Sequence, residues 1–256
     1  MRRRQVSTRE LAQTRADLLN TFELSDFEVD AGPKMLRITA PAQKRSRRDE
    51  AAVAAASESS DCFEKLHGRD KLSASPESTA SDAPAWSELW PCSRAMAAYF
   101  GHCVRMRSVD AVEVNCGLGT AGLGAAAKGA RVRLMDANPD SLRFARYNAL
   151  QNGFTHLTTH LFDWTHDRFD GHVGSLIFAD VLHNPEHFEH VFRMLHDNLT
   201  PGRTAFLAEP GRWIATDFFE QLRKTDYRIR LDIERVEDPV TDRYYLVSVL
   251  RVKKED

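Results

Sequence analysis

Between Val109 and Arg251 the chain alternates short apolar runs with segments of helical period, a pattern that restricts it to a sheet covered by helices on both faces. Strands are expected at Val109 to Val114, Val132 to Met135, Leu157 to Leu161, Val173 to Ala179 and Arg203 to Ala208. Helices are expected at Thr120 to Lys128, Ser141 to Asn152, Glu186 to Leu199 and Ile214 to Lys224. Two further strands, Tyr227 to Ile233 and Tyr244 to Arg251, are joined through Glu237-Asp238-Pro239-Val240-Thr241-Asp242. That connection is too short for a parallel crossover, so the last pair must run antiparallel. The expectation is an α/β fold whose seven-stranded sheet is mostly parallel.

Three segments follow from the patterning of the 256 residues. Residues 1–40 read as a helix and a β-hairpin. Ser7 with Glu10 forms a capping box, and Phe22 to Ile38 carries Phe27, Val29, Met35, Leu36 and Ile38 around an Ala31-Gly32-Pro33 turn. Residues 41–83 are rich in charge, Ala and Ser and poor in large apolar side chains, so a flexible insert is expected, with a short helix conceivable over Glu50 to Ala56. Residues 84–256 form the compact domain.

A formal net charge of -2 supplies no global attraction to nucleic acid or to an anionic membrane. Cys62, Cys92, Cys103 and Cys116 have neither CxxC spacing nor a regular framework, which points to free thiols in a reducing compartment rather than zinc or disulfides. The basic start MRRRQVSTRE lacks the apolar stretch of a secretory signal, and no segment has the run of apolar residues that spans a bilayer. A cytoplasmic protein is expected, with an organelle transit peptide left open.

The chemistry concentrates after the first of the seven strands. Glu113 closes the apolar run, the loop Asn115-Cys116-Gly117-Leu118-Gly119 follows, and a small-residue helix begins near Thr120. Such a loop presents unpaired backbone N–H groups and allows a ligand to approach where a side chain would collide. Asp136, at the end of the next strand, can accept from both hydroxyls of a ribose, or it can cap the helix after Pro139. Asn115 is one of the few residue types with a side chain that tolerate positive φ.

These residues resemble the first motif (Glu113 to Gly119) and the ribose-binding acid (Asp136) of class I, Rossmann-like methyltransferases. The resemblance implies S-adenosylmethionine as cofactor, with Glu113, Asn115, Gly117 and Gly119 against its methionine part, Asp136 on its ribose, and Asp163-Trp164 beside its adenine. Trp164 could equally be an aromatic at the core edge. Upstream, Trp86-Ser87-Glu88-Leu89-Trp90-Pro91 resembles the tryptophan-rich lead-in of protein lysine methyltransferases grouped with the electron-transfer-flavoprotein β-subunit methyltransferase, where it packs over the cofactor. A tryptophan pair one helical turn apart could also wall a pocket for a cation, or simply seal the core.

In that group an acid-x-x-aromatic motif follows the fourth strand. Here it reads Asp180-Val181-Leu182-His183, which implies Asp180 as a catalytic and cofactor-side carboxylate and puts His183 in the aromatic position. His183 could hydrogen-bond an amine or carry its proton away, or it could be a rim residue. A zinc site of His183, His187 and His190 is disfavoured, because Asn184-Pro185 starts a helix that excludes His183, so no metal is expected. Glu209 and Arg212 could shape a substrate entrance or form a surface pair. The reading is a monomeric methyltransferase acting on a lysine of a protein substrate. The alternatives are a small-molecule methyltransferase and a methyltransferase-like adaptor; hydride transfer does not require the terminal strand pair or the Trp-rich lead-in.

Overall fold

The computed structural model describes residues 7–42, 84–237 and 244–255. The expected helix at Glu50 to Ala56 and most of the terminal connection lie outside the described residues. Helix α1 (Thr8–Leu19) is followed by strands β1 (Leu24–Asp30) and β2 (Met35–Pro41). After a 3-10 turn at Ala85–Ser87 come α2 (Pro91–Cys103), β3 (Asp110–Val114), α3 (Thr120–Ala127), β4 (Arg131–Asp136) and α4 (Pro139–Gln151). The remainder is β5 (Thr158–Leu161), β6 (Ser175–Ala179), α5 (Glu186–Asn198), β7 (Thr204–Glu209), α6 (Ala215–Leu222), β8 (Arg228–Glu237) and β9 (Tyr244–Lys253).

Strands β3 to β9 form one seven-stranded sheet in the order β5-β4-β3-β6-β7-β9-β8. The first five in that order are parallel, and β9 runs antiparallel to both β7 and β8. This is the Rossmann-like, mostly parallel sheet with an antiparallel terminal pair that the sequence implied. β8 and β9 outrun their expected ends, to Glu237 and Lys253, because they pair with each other along ten residues.

Two cores fill the two faces. On one face Met96, Phe100, Leu123, Leu134 and Phe144, from α2, α3, β4 and α4, pack together with Leu36 and Ile38 of the hairpin. On the other, Val112, Phe178, Leu195, Leu207 and Phe218 gather α5 and α6 against the sheet. β6 is buried at every position, as a parallel strand covered on both sides must be.

The hairpin forms its own two-stranded sheet and docks through backbone contact and paired asparagines. Gly32, with φ 71°, meets Gly101 of α2 so closely that a Cβ on Gly101 would lie 2.2 Å from the Ala31 carbonyl carbon. Asn148 of α4 and Asn152, the residue that caps its C-terminus, supply the partners that a neighbouring strand would otherwise give β2. The Thr39 N–H donates to Asn148 Oδ1 at 2.8 Å, and the Arg37 N–H donates to Asn152 Oδ1 at 3.0 Å. Asn148 Nδ2 also donates to the carbonyls of Thr39 and Leu118, tying the hairpin to the loop after β3.

Candidate active site

The loop after β3 takes the left-handed conformation at three alternate residues, Asn115 (φ 57°), Gly117 (φ 51°) and Gly119 (φ 78°). The asparagine therefore performs the backbone role that positive φ demands. Gly119 closes the loop by donating to the Cys116 carbonyl at 2.7 Å and serves as N-cap of α3. Gly117 has the Trp86 carbonyl 3.1 Å from where a Cβ would stand, so a side chain there would be crowded as well as strained.

Glu113 is 1% exposed and turns inward. Its Oε2 accepts from the Gly122 N–H at 2.8 Å, in the first turn of α3. Burial pushes its carboxyl up to about 8, against the opposing pull of the Gly122 and Ala121 N–H groups. Gly122, which the sequence reading passed over, permits this approach: a Cβ there would lie 2.6 Å from Glu113 Oε2. The signal was the glycine inside an otherwise helical Thr-Ala-Gly-Leu-Gly run.

Asp136 supports the loop from below. Its Oδ2 accepts from the Gly117 N–H and its Oδ1 from the Asn138 N–H, both at 2.9 Å. Asn138, not Asp136, caps α4, accepting from Asp140 and Ser141. Ser141 Oγ in turn donates to the Gly117 carbonyl at 2.8 Å, so Gly117 is held at both ends. Asp136 is 4% exposed and keeps one further lone pair on each oxygen.

Asp163 and Trp164 diverge. The Asp163 carboxylate is partly exposed at the rim and accepts from the Thr165 N–H and hydroxyl and from His166, contacts that lower it to about 2. The Trp164 ring is buried in the core, 6.3 Å from Phe178 and 5.1 Å from His187 between centroids. The core-edge placement weighed for Trp164 is where its ring sits.

At the end of β6, Asp180 has φ 66° and is almost fully buried. Its two carboxylate oxygens accept from the two terminal nitrogens of Arg212, one of them at 3.1 Å. Arg212 also lies 3.5 Å from Glu209, which is fully buried and accepts from the Gly211 and Arg212 N–H groups. The Glu209–Arg212 pair is thus neither at the surface nor isolated; Asp180 completes it. Burial raises the Glu209 carboxyl, and burial followed by Asp180 pushes the Cys92 thiol up. Cys92 sits two residues after Trp90, so the start of α2 abuts this carboxylate.

His183 meets Asp180 through Nδ1 and the Asp180 backbone carbonyl, at 2.9 Å, rather than through the carboxylate. His187 directs its Nδ1 to the Val181 carbonyl at 3.0 Å, and burial lowers its pKa. No group of His, Cys, Asp and Glu among the described residues could hold a metal ion. The two tryptophans do not share a helix. Trp86 belongs to the 3-10 turn and packs on Phe22 and Phe144, whereas Trp90 is the extended residue before α2, its Nε1 donating to the Ala85 carbonyl at 2.7 Å. Proline at the first helical position starts α2 only at residue 91, which separates the pair.

Glu113, Asn115, Gly117, Gly119 and Asp136 thus form one cluster, and Asp180 with Arg212, Glu209 and Cys92 a second. Both stand at the carboxyl ends of parallel strands, where open α/β sheets take their ligands. No helix among the described residues is long and apolar enough to cross a membrane.

No protein-family model matches the chain, and no curated protein matches it in sequence. Solved structures do. The magnesium protoporphyrin IX methyltransferase of Synechocystis PCC 6803, solved with bound SAM, is 17% identical, with TM-score 0.51 over 63% of this chain and 78% of that one. A putative RNA methyltransferase from Pyrococcus horikoshii is 13% identical, with TM-score 0.53 over 83% of this chain and 98% of that one. At such identities the likeness is one of architecture: the chain has the class I, Rossmann-like methyltransferase fold.

Proposed function

We propose that the protein is an S-adenosylmethionine-dependent methyltransferase whose acceptor is the side-chain amine of a protein lysine. The observation that carries the cofactor part of this reading is the left-handed loop Asn115 to Gly119 at the carboxyl end of β3, held by Asp136 at the end of β4, on a class I fold. The residues present suit an adenosyl group. A side chain at Gly117 would be strained by its positive φ and crowded by the Trp86 carbonyl, and each Asp136 oxygen retains a lone pair for a ribose hydroxyl. Because Asp136 is nearly buried, a ribose reaches it only if the groups that cover it move aside. Asp163 remains partly exposed at the same rim, available to an adenine amine.

When bound, the cofactor supplies an electrophilic methyl on sulfur. The protein's contribution is to orient the acceptor, keep water out and place negative charge by the amine. Asp180 and Glu209 together carry one more negative charge than Arg212 neutralises when both are ionised, which favours an ammonium group approaching Asp180. The amine must lose a proton before its lone pair can attack, and His183, anchored to the Asp180 carbonyl through Nδ1, has a second ring nitrogen to take it.

A non-enzymatic adaptor is favoured by one observation, the engagement of both Asp180 oxygens by Arg212. A small-molecule acceptor is the other alternative, since the fold accepts many chemistries. Calorimetry with S-adenosylmethionine on wild type and Asp136→Ala, followed by labelled-cofactor incubation with a proteome and mass spectrometry, separates the three. The proposal expects saturable binding that Asp136→Ala weakens at least tenfold, and labelled lysines. No binding supports the adaptor; binding without any protein labelling supports a small acceptor.

A further inference from the structure

β8 is the last strand of the sheet and is bonded to β9 on one side; among the described residues no strand pairs with its other edge. An open edge ten residues long is a template for another strand unless charge or proline blunts it. Here proline is absent, and the charges the strand carries are of both signs. Leu231 and Ile233 are each 57% exposed on one face of β8.

The charges on the opposite face are arranged antisymmetrically about Leu231. Arg228 and Arg230 precede it, and Asp232 and Glu234 follow it. Alternation along a strand puts these four on one face and Ile229, Leu231 and Ile233 on the other. The described neighbours agree, since Asp232 accepts from the Tyr99 hydroxyl of α2 while Ile229 packs with the α5 and α6 core.

We propose that two copies of the chain associate by antiparallel pairing of their β8 edges, with Leu231 at the two-fold axis. In that register Leu231 opposes the partner's Leu231 and Ile229 opposes the partner's Ile233. Arg230 faces the partner's Asp232, and Arg228 faces the partner's Glu234, so every charged pair between residues 228 and 234 is of opposite sign. Tyr227 meets the partner's Arg235. A shift by one residue sets Asp232 opposite the partner's Leu231 or the partner's Ile229, and a shift by two sets Asp232 opposite the partner's Asp232 or Arg230 opposite the partner's Arg230, so the complementarity is lost. Arg230 now holds its own Asp232 at 3.0 Å and Arg228 holds Glu255 at 3.1 Å. Both contacts involve exposed arginines, so exchanging them across the axis costs little. The two sheets become one of fourteen strands, with both candidate sites left at its rims.

The interface is small, so micromolar self-association is expected. Sedimentation velocity on the full chain up to about 100 μM should show a dimer. Arg228→Glu alone and Glu234→Arg alone should each weaken it at least tenfold, because each change acts twice across the axis, and the double variant should recover it. Thermal melts confirm that each variant folds. As an independent readout, Leu231→Cys in a Cys62→Ser, Cys103→Ser background should oxidise to a covalent dimer, and Arg235→Cys should not. A monomer throughout this range overturns the proposal. So does a dimer indifferent to the single charge reversals, or a double variant that stays monomeric.

Discussion

Asp180, at the end of β6, and Arg212, in the loop after β7, form a bidentate ion pair whose carboxylate is buried and whose guanidinium is partly buried. It bridges 32 residues of sequence and exists because β6 and β7 are adjacent and parallel, so their carboxyl ends meet. Glu209 leans on the same guanidinium. Removing Arg212 would leave two buried carboxylates without their cation, which typically costs about 3–5 kcal/mol. Arg212→Ala should therefore lower the unfolding free energy by roughly that amount in urea melts, and Arg212→Lys should restore only part, lacking the two-pronged geometry. A loss under about 1 kcal/mol for Arg212→Ala would show that the pair contributes specificity rather than stability.

Glu113 gives a pH signature. Its folded pKa, about 8, lies above its ordinary value of 4.5, so the folded state binds more protons than the unfolded state between these limits. The stabilising contribution is complete below the unfolded pKa and is lost as pH rises through the folded one. In Glu113→Gln the amide keeps an oxygen for the Gly122 N–H, so the decline in Tm between about pH 5 and 8 should become shallower than in wild type. Identical slopes would contradict the inward, proton-retaining placement.

Asn115 separates conformation from chemistry. Because its φ is 57°, Asn115→Gly should leave stability within about 0.5 kcal/mol of wild type or raise it, while Asn115→Val should lower it by roughly 1–3 kcal/mol. Denaturant melts provide the comparison. Equal behaviour of the two variants would mean that the loop relaxes away from the left-handed region.

Asn148 should couple the hairpin to the sheet. Asn148→Ala orphans the Thr39 N–H and the Thr39 and Leu118 carbonyls, at a cost of about 1–3 kcal/mol. Hydrogen exchange should rise first in β2 and in the loop after β3. An increase confined to α4 would argue against that coupling.

Gly101 makes a steric test of the same docking. A methyl group there would fall 2.2 Å from the Ala31 backbone, so Gly101→Ala should displace the hairpin turn from α2 and expose the Leu24 to Pro41 region to limited proteolysis. Unchanged cleavage would mean that α2 itself yields.

The alternation of elements is legible in the residues alone, because burial on one or both faces imprints periods of 2 and 3.6 on apolar side chains. The residues also carry the antiparallel terminal pair, whose short connection excludes a crossover, and they show that Asn115 tolerates positive φ; that Asn115, Gly117 and Gly119 all adopt it is a finding of the structure. Which polar groups meet is a matter of the assembled fold. Arg212 reaches Asp180, Asn148 takes the place of a strand beside β2, Glu113 turns into α3, and Trp86 leaves Trp90 to join Phe22 and Phe144. Each of these partners is distant in sequence or hidden by a one-turn ambiguity. Local periodicity records whether a side chain is buried, whereas its hydrogen-bond partner is set by strand order and helix placement.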